Sequence, residues 1–254
     1  RDGVLFRHEV FLKKQRPLAF PVPALPVFEL VLHFPNGRVL HDRYRNRVLQ
    51  ERETGFPSGL RSLVGYEGGR EAWKELRYPP GDGPQDGQII RTWLAADGKR
   101  KLKERTTFKN GAVVEDTFAP GGQLLVRMLT VPGGDRTVRQ FRNGKLQEET
   151  VTTPEGGVIV SRFDGSGTLT SRRTTVRGWE RTAGYGPGGV LSGIVWSRDG
   201  LTVAFAPTHT NTAALRADGP AGSVFSLAFA QDLLFEEDLF NGTNRILTIS
   251  CIPA

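Results

Sequence analysis

The sequence predicts an all-β fold, a long antiparallel meander of short hairpins forming an extended or curled repeat-like sheet. Three observations predict it. Glycines recur every 10 to 13 residues from Gly98 through Gly111, Gly122, Gly134, Gly144, Gly157, Gly167, Gly178 and Gly189 to Gly200. Aromatic or leucine residues stand three or four positions before many of these glycines, and an apolar residue usually follows two positions after. Only 38% of the 254 residues are apolar, while glycine (31) and proline (16) are abundant, which disfavours a helical bundle.

Each glycine is read as the turn between two strands. Asn36-Gly37, Asn110-Gly111, Asn143-Gly144, Asp97-Gly98 and Asp199-Gly200 favour two-residue turns with positive φ at both centres. The segments between them, such as Thr150–Thr153, Val158–Val160 and Thr168–Val176, are rich in strand formers. Residues 91–206 therefore read as a hairpin-repeat sheet of nine or ten strands. Alternation within those strands is not cleanly apolar on either face: Val113, Glu115 and Thr117 share one side and Val114, Asp116 and Phe118 the other. A sheet wet over much of at least one face is expected, each hairpin stabilised by its neighbours.

Residues 1–90 read as an irregular N-terminal β region of the same single mainly-β domain. Val4–Leu12 and Phe28–His33 are strand candidates, joined by a proline-marked connector (Pro17, Pro21, Pro23, Pro26). Arg38–Arg52 alternates apolar and charged residues around another turn. Ser62–Tyr78, with Glu71, Ala72, Trp73 and Leu76 close together, suggests a short helical turn. Pro79–Gly87 is a loop. Residues 207–254 read as a closing segment. Thr208–Gly222 is loop-like, and residues 223–230 and 245–252 suggest strands with a short helix or turn between them. A helix over 223–240 capped by Ser223 is the competing reading.

Phe108-Lys109-Asn110-Gly111 and Phe141-Arg142-Asn143-Gly144 resemble the aromatic-x-Asn-Gly-x-Leu units of bacterial MORN-type repeat proteins. Phe163-Asp164-Gly165-Ser166-Gly167-Thr168-Leu169 resembles a YD-repeat unit. The resemblance covers residues 91–206, with an outlying match at 34–39. It implies a non-enzymatic scaffold or binding platform built from paired hairpins.

The catalytic inventory is thin. Four histidines (His8, His33, His41, His209) show no metal-ligand spacing, although His33 and His41 bracket a turn and could meet with Asp42. No phosphate-binding loop or nucleophile elbow is present. Cys251 is the single cysteine, so no intrachain disulfide exists, and it reads as a core residue. Asn241-Gly242-Thr243 matches a glycosylation acceptor. No catalytic residue, metal or cofactor is expected, and no segment is apolar enough for a transmembrane helix. A secreted or envelope protein after signal removal and a cytoplasmic assembly both fit.

Charge gives the functional expectation. The net charge is +7, and 26 of the 34 basic residues are arginine. The densest patch is Lys99, Arg100, Lys101, Lys103, Arg105 and Lys109, with Trp93 and Phe108 nearby; Arg172 and Arg173 mark another. These ten residues are the candidate binding set. The expected partner is a protein or larger assembly, then an anionic surface or polyanion attracted at long range; specific nucleic-acid binding is not expected. The alternative is a carrier or enzyme with a ligand pocket inside a curled sheet.

Overall fold

A computed structural model describes residues 6–11, 26–81, 83–199, 201–207, 212–218, 224–230, 235–241 and 244–251. The described regular structure is β-strand throughout, apart from one 3-10 turn at Pro187–Gly189. The chain divides into two compact units, Arg1–Pro154 and Glu155–Ala254.

Unit 1 holds β1 (Phe6–Phe11), β2 (Val27–His33), β3 (Val39–Arg45), β4 (Val48–Gly55), β5 (Arg61–Glu67) and β6 (Arg70–Arg77). It continues with β7 (Ile89–Leu94), β8 (Lys101–Thr107), β9 (Val113–Phe118), β10 (Leu124–Thr130), β11 (Arg136–Arg142) and β12 (Lys145–Thr152). From β2 onward each strand pairs antiparallel with the next, so the predicted meander is present and begins well before residue 91. β1 is the exception and lies parallel to β2, Phe6 opposite Phe28 and Phe11 opposite His33. A parallel neighbour needs a crossover rather than a tight turn. The proline-marked segment between them lies almost wholly outside the described residues.

Unit 2 repeats the arrangement with β13 (Val158–Phe163), β14 (Leu169–Val176), β15 (Trp179–Tyr185), β16 (Leu191–Arg198), β17 (Leu201–Pro207), β18 (Thr212–Asp218) and β19 (Val224–Ala230). Successive members again pair antiparallel. β20 (Phe235–Asn241) and β21 (Asn244–Cys251) form a separate hairpin.

Three local expectations are corrected. Residues 62–78 form the β5–β6 hairpin instead of a helical turn, because Gly68 and Gly69 both take positive φ (57° and 77°) and reverse the chain in two residues. The short helix expected near the C-terminus is replaced by β20, and β19 fills 224–230, so the competing helix over 223–240 is not formed. The loop expected over 208–222 contains β18, whose main-chain ladder to β17 and β19 outweighs its small, polar composition. The Cys251 side chain and the Asn241 triplet's turn lie outside the described residues.

The turn chemistry is also more varied than expected. Asn143-Gly144 has positive φ at both centres (52° and 74°), as do Asn46-Arg47 and Arg177-Gly178. At Asn36-Gly37, Asp97-Gly98 and Asn110-Gly111 only the glycine does. In the last of these the Gly111 amide donates to the Phe108 carbonyl at 2.9 Å and the Phe108 amide donates to the Ala112 carbonyl at 2.8 Å. Asn110 Oδ1 accepts the Ala112 amide at 3.0 Å. This is a three-residue loop that places its glycine in the left-handed region.

These loops reveal a longer period than the glycine spacing suggested. Phe34, Phe56 and Tyr78 stand 22 residues apart and open successive loops at one rim of unit 1. Tyr44 and Tyr66 are also 22 apart and sit beside bulges at the opposite rim. One period is thus two strands and two loops. Neighbouring loops touch: a Cβ built on Gly37 would lie 3.2 Å from Pro57 Cγ, one on Gly59 3.0 Å from Pro79 Cβ, and one on Gly111 3.0 Å from Pro132 Cγ. Proline of one period rests on glycine of the loop before it. The long loop 78–88 and the larger loop 95–100 interrupt the period, which explains the drift in spacing.

Hydrophobic burial is concentrated. Phe28, Leu30, Leu32 and Phe34 form the core cluster, flanked by Val10, Leu40 and Tyr44. Burial raises the Tyr44 hydroxyl's pKa, with the neighbouring Asp42 carboxylate adding to the effect.

Candidate functional site

Strand alternation and register sort the side chains of unit 1 onto two faces. The first carries a row of charges across the strands. Arg52 donates from Nε and Nη2 to the two oxygens of Asp42 at 2.7 and 2.8 Å. Arg127 binds Asp116 in the same forked way at 2.8 Å each. Asp42 and Asp116 are buried, and their hydrogen bonds hold both guanidinium pKa values above the usual arginine range. Glu104 lies between these pairs and accepts from Thr92 Oγ1 at 3.0 Å and Lys101 Nζ at 2.6 Å. The partial apolar alternation in the sequence is therefore a ladder of satisfied ion pairs.

The second face differs over β5 to β9. Gly65, Trp73, Trp93 and Lys103 stand opposite one another in one row, and Leu63, Glu75, Arg91, Arg105 and Glu115 form the next. Gly65 is required here: its missing Cβ would fall 2.1 Å from Trp73 Nε1, so the indole lies over the glycine. The Arg91 guanidinium sits 4.5 Å from the Trp73 ring centroid and 5.8 Å from that of Trp93. Its Nε stands 2.8 Å from a carboxylate oxygen of the buried Glu75 as a charge contact without a hydrogen bond, while Arg77 Nε donates to Glu75 at 2.6 Å. Lys103 Nζ stands 5.6 Å from the Trp93 ring and 3.0 Å from Glu115. Arg105 is exposed and directly opposite Arg91. Glu115 is also opposite Arg105 but is engaged by Lys103, and Arg105 makes no ion pair among the described residues.

The ten sequence candidates do not form one surface. Trp93, Lys103 and Arg105 share the second face. Lys101 lies on the first, with Glu104 and with Phe118, whose ring centroid is 5.3 Å from its Nζ. Lys99 and Arg100 belong to the 95–100 loop, where Asp97 Oδ1 accepts both their amides and Arg100 pairs with its carboxylate. Those bonds hold the Asp97 carboxyl below its usual range. Phe108 and Lys109 sit at the opposite strand end, Lys109 tied to Asp86 at 2.7 Å. Arg172 and Arg173 are in unit 2, the first donating to Ser161 Oγ at 3.2 Å and the second paired with Glu180. Trp73, Arg77 and Arg91 were missed. The helical reading of 62–78 hid the strand that brings Trp73 beside Trp93.

His33 and His41 do lie on the same face, but Asp42 is on the other, committed to Arg52; adjacent strand residues point apart. His33 and His41 therefore do not converge with Asp42. His41 Nε2 lies 3.2 Å from Glu29 instead, and His33 stacks on Phe11 with ring centroids 4.4 Å apart. Both line a hollow of about 430 Å³ together with Val31, Val39, Phe56, Glu53, Arg7 and Arg61. Among the described residues, no group of three His, Cys, Asp or Glu side chains is placed to hold a metal ion. No helix among them is long and apolar enough to cross a membrane.

No protein-family profile matches the chain, and no curated protein matches it at a significant level.

Proposed function

We propose that this chain is a non-enzymatic β-repeat scaffold or binding module that presents a basic and aromatic sheet face to a protein or anionic macromolecular partner. The observation carrying this reading is the second face of β5 to β9, where Arg91, Lys103 and Arg105 cluster around Trp73 and Trp93. Guanidinium and ammonium groups held against indoles are positioned before any partner arrives, which reduces the ordering cost of binding. The repeat resemblance at 108–111, 141–144 and 163–169 supports the scaffold role.

The test is a panel of polyanions (polyglutamate, heparin, an oligonucleotide and anionic vesicles) offered to the protein and to an R91E/R105E variant at low and high salt. At least one polyanion is expected to be retained at low salt and released both by salt and by the variant. Equal behaviour of protein and variant toward all four would overturn the reading.

The alternative of a carrier or enzyme draws on the hollow beside His33 and His41. It predicts a small molecule that co-purifies and shifts the histidine resonances on removal.

A further inference from the structure

We infer that the occupant of the Trp73–Arg105 face is an acidic protein segment with spaced carboxylates. This rests on the binding-module reading and names the partner's chemistry.

Three features of the face select that chemistry. First, Arg91 and Arg105 are directly opposed like charges, an arrangement that is unfavourable without a counter-charge. Arg91 Nε lies 2.8 Å from Glu75 but has no hydrogen-bond partner among the described residues, and Arg105 has no ion pair among them. A carboxylate between them relieves the repulsion and matches the guanidinium fork. Second, two acids are embedded among the cations, Glu75 buried beside Arg91 and Glu115 on Lys103. A backbone with charge at every unit, such as a nucleic acid, would meet both of them, whereas spaced carboxylates fit the gaps. Third, the Arg91 guanidinium occupies the neighbourhood of the Trp73 ring and Lys103 that of Trp93. Single-strand nucleic acid binding uses open aromatic faces for base stacking. A cluster of tryptophan and arginine at the centre of a patch is instead the composition that dominates protein–protein binding energy.

The experiment uses the full chain and three labelled probes: a short peptide of alternating glutamate and leucine, its glutamine counterpart, and a single-stranded oligonucleotide of equal charge. Anisotropy titrations are compared for the protein, R91Q, R105Q and the control R136Q, an exposed arginine on β11, three strands beyond Arg105, whose guanidinium is engaged by Met128 Sδ. Circular dichroism confirms that each variant is folded. The acidic peptide is expected to bind, the glutamine peptide to bind at least tenfold more weakly, and R91Q and R105Q each to lose about tenfold, with R136Q unchanged. The loss should shrink at high salt. An oligonucleotide held more tightly than the peptide, through the same arginines, would overturn the acidic-segment assignment and leave the binding-module reading standing. Binding of every probe unaffected by R91Q and R105Q would overturn both.

Discussion

The β2 end of unit 1 and the stretch from β8 to β12 have the same backbone ladder but are held by different side-chain chemistry. At the first, Phe28, Leu30, Val31 and Leu32 are all buried in one strand, with Phe34 beside them. From β8 to β12 no strand contributes a buried hydrophobic residue, and the cross-strand rows are occupied by Glu104, Asp116, Arg127, Arg139 and Glu149. The difference shows that an antiparallel sheet can be anchored by apolar packing at one end and held by paired charges over a hydrogen-bonded backbone elsewhere. Apart from the buried Asp116, every residue of these strands is half-buried or exposed.

The largest effect should come from emptying the apolar end. Leu30→Ala is expected to cost about 2–5 kcal/mol, read as a lower urea midpoint, whereas Leu129→Ala, in half-exposed β10, should cost well under half of that. Equal losses would break the comparison. Next comes Asp42→Ala. It leaves Arg52, whose side chain is 39% exposed, without its forked partner. Partial hydration of Arg52 moderates the penalty to about 2 kcal/mol, and Asp116→Ala should act similarly on Arg127 by the same denaturant measurement. Gly59→Ala tests the rim: φ is +83° and Pro79 Cβ is 3.0 Å from the new methyl group, so about 1–2 kcal/mol should be lost. Gly122→Ala has a similar φ with nothing within 4 Å, and so isolates the backbone part of that loss.

The smallest effects are in pH. The raised Tyr44 pKa means that its stabilising contribution is complete below about pH 10 and is lost as pH climbs through the raised value. Tyr44→Phe should therefore flatten the alkaline limb of the melting-temperature profile. Asp97 shifts the other way: its contribution is present above the ordinary carboxylate range and disappears as pH drops through its lowered value. Asp97→Asn should flatten the acid limb, and a steeper limb in the variant would contradict the loop geometry.

Chain reversal at Gly98, Gly111, Gly122, Gly144 and Gly167 was legible because positive φ at a tight turn leaves a plain mark in composition. So was the wetness of the sheet, from Val113 to Phe118. The parallel placement of β1 was not legible, since no local signal reports which edge a distant strand joins. The β5–β6 hairpin was obscured because Trp73 and Leu76 fit a helical spacing as well as a strand. The division of the basic patch between two faces was hidden for a different reason. Lys101 and Lys103 are two residues apart and would share a face in an unbroken strand, but the bulge between Trp93 and Leu94 sends them to opposite sides.

The three contacts of a proline with the glycine of the preceding loop have an evolutionary corollary. Removing one residue would throw every later side chain to the wrong surface and slide that contact out of alignment. Over β2 to β6, where the period is 22, excising or duplicating a complete block would preserve both. Length in this architecture is therefore quantised, and gene duplication can lengthen or shorten the platform in whole steps without redesigning the joints.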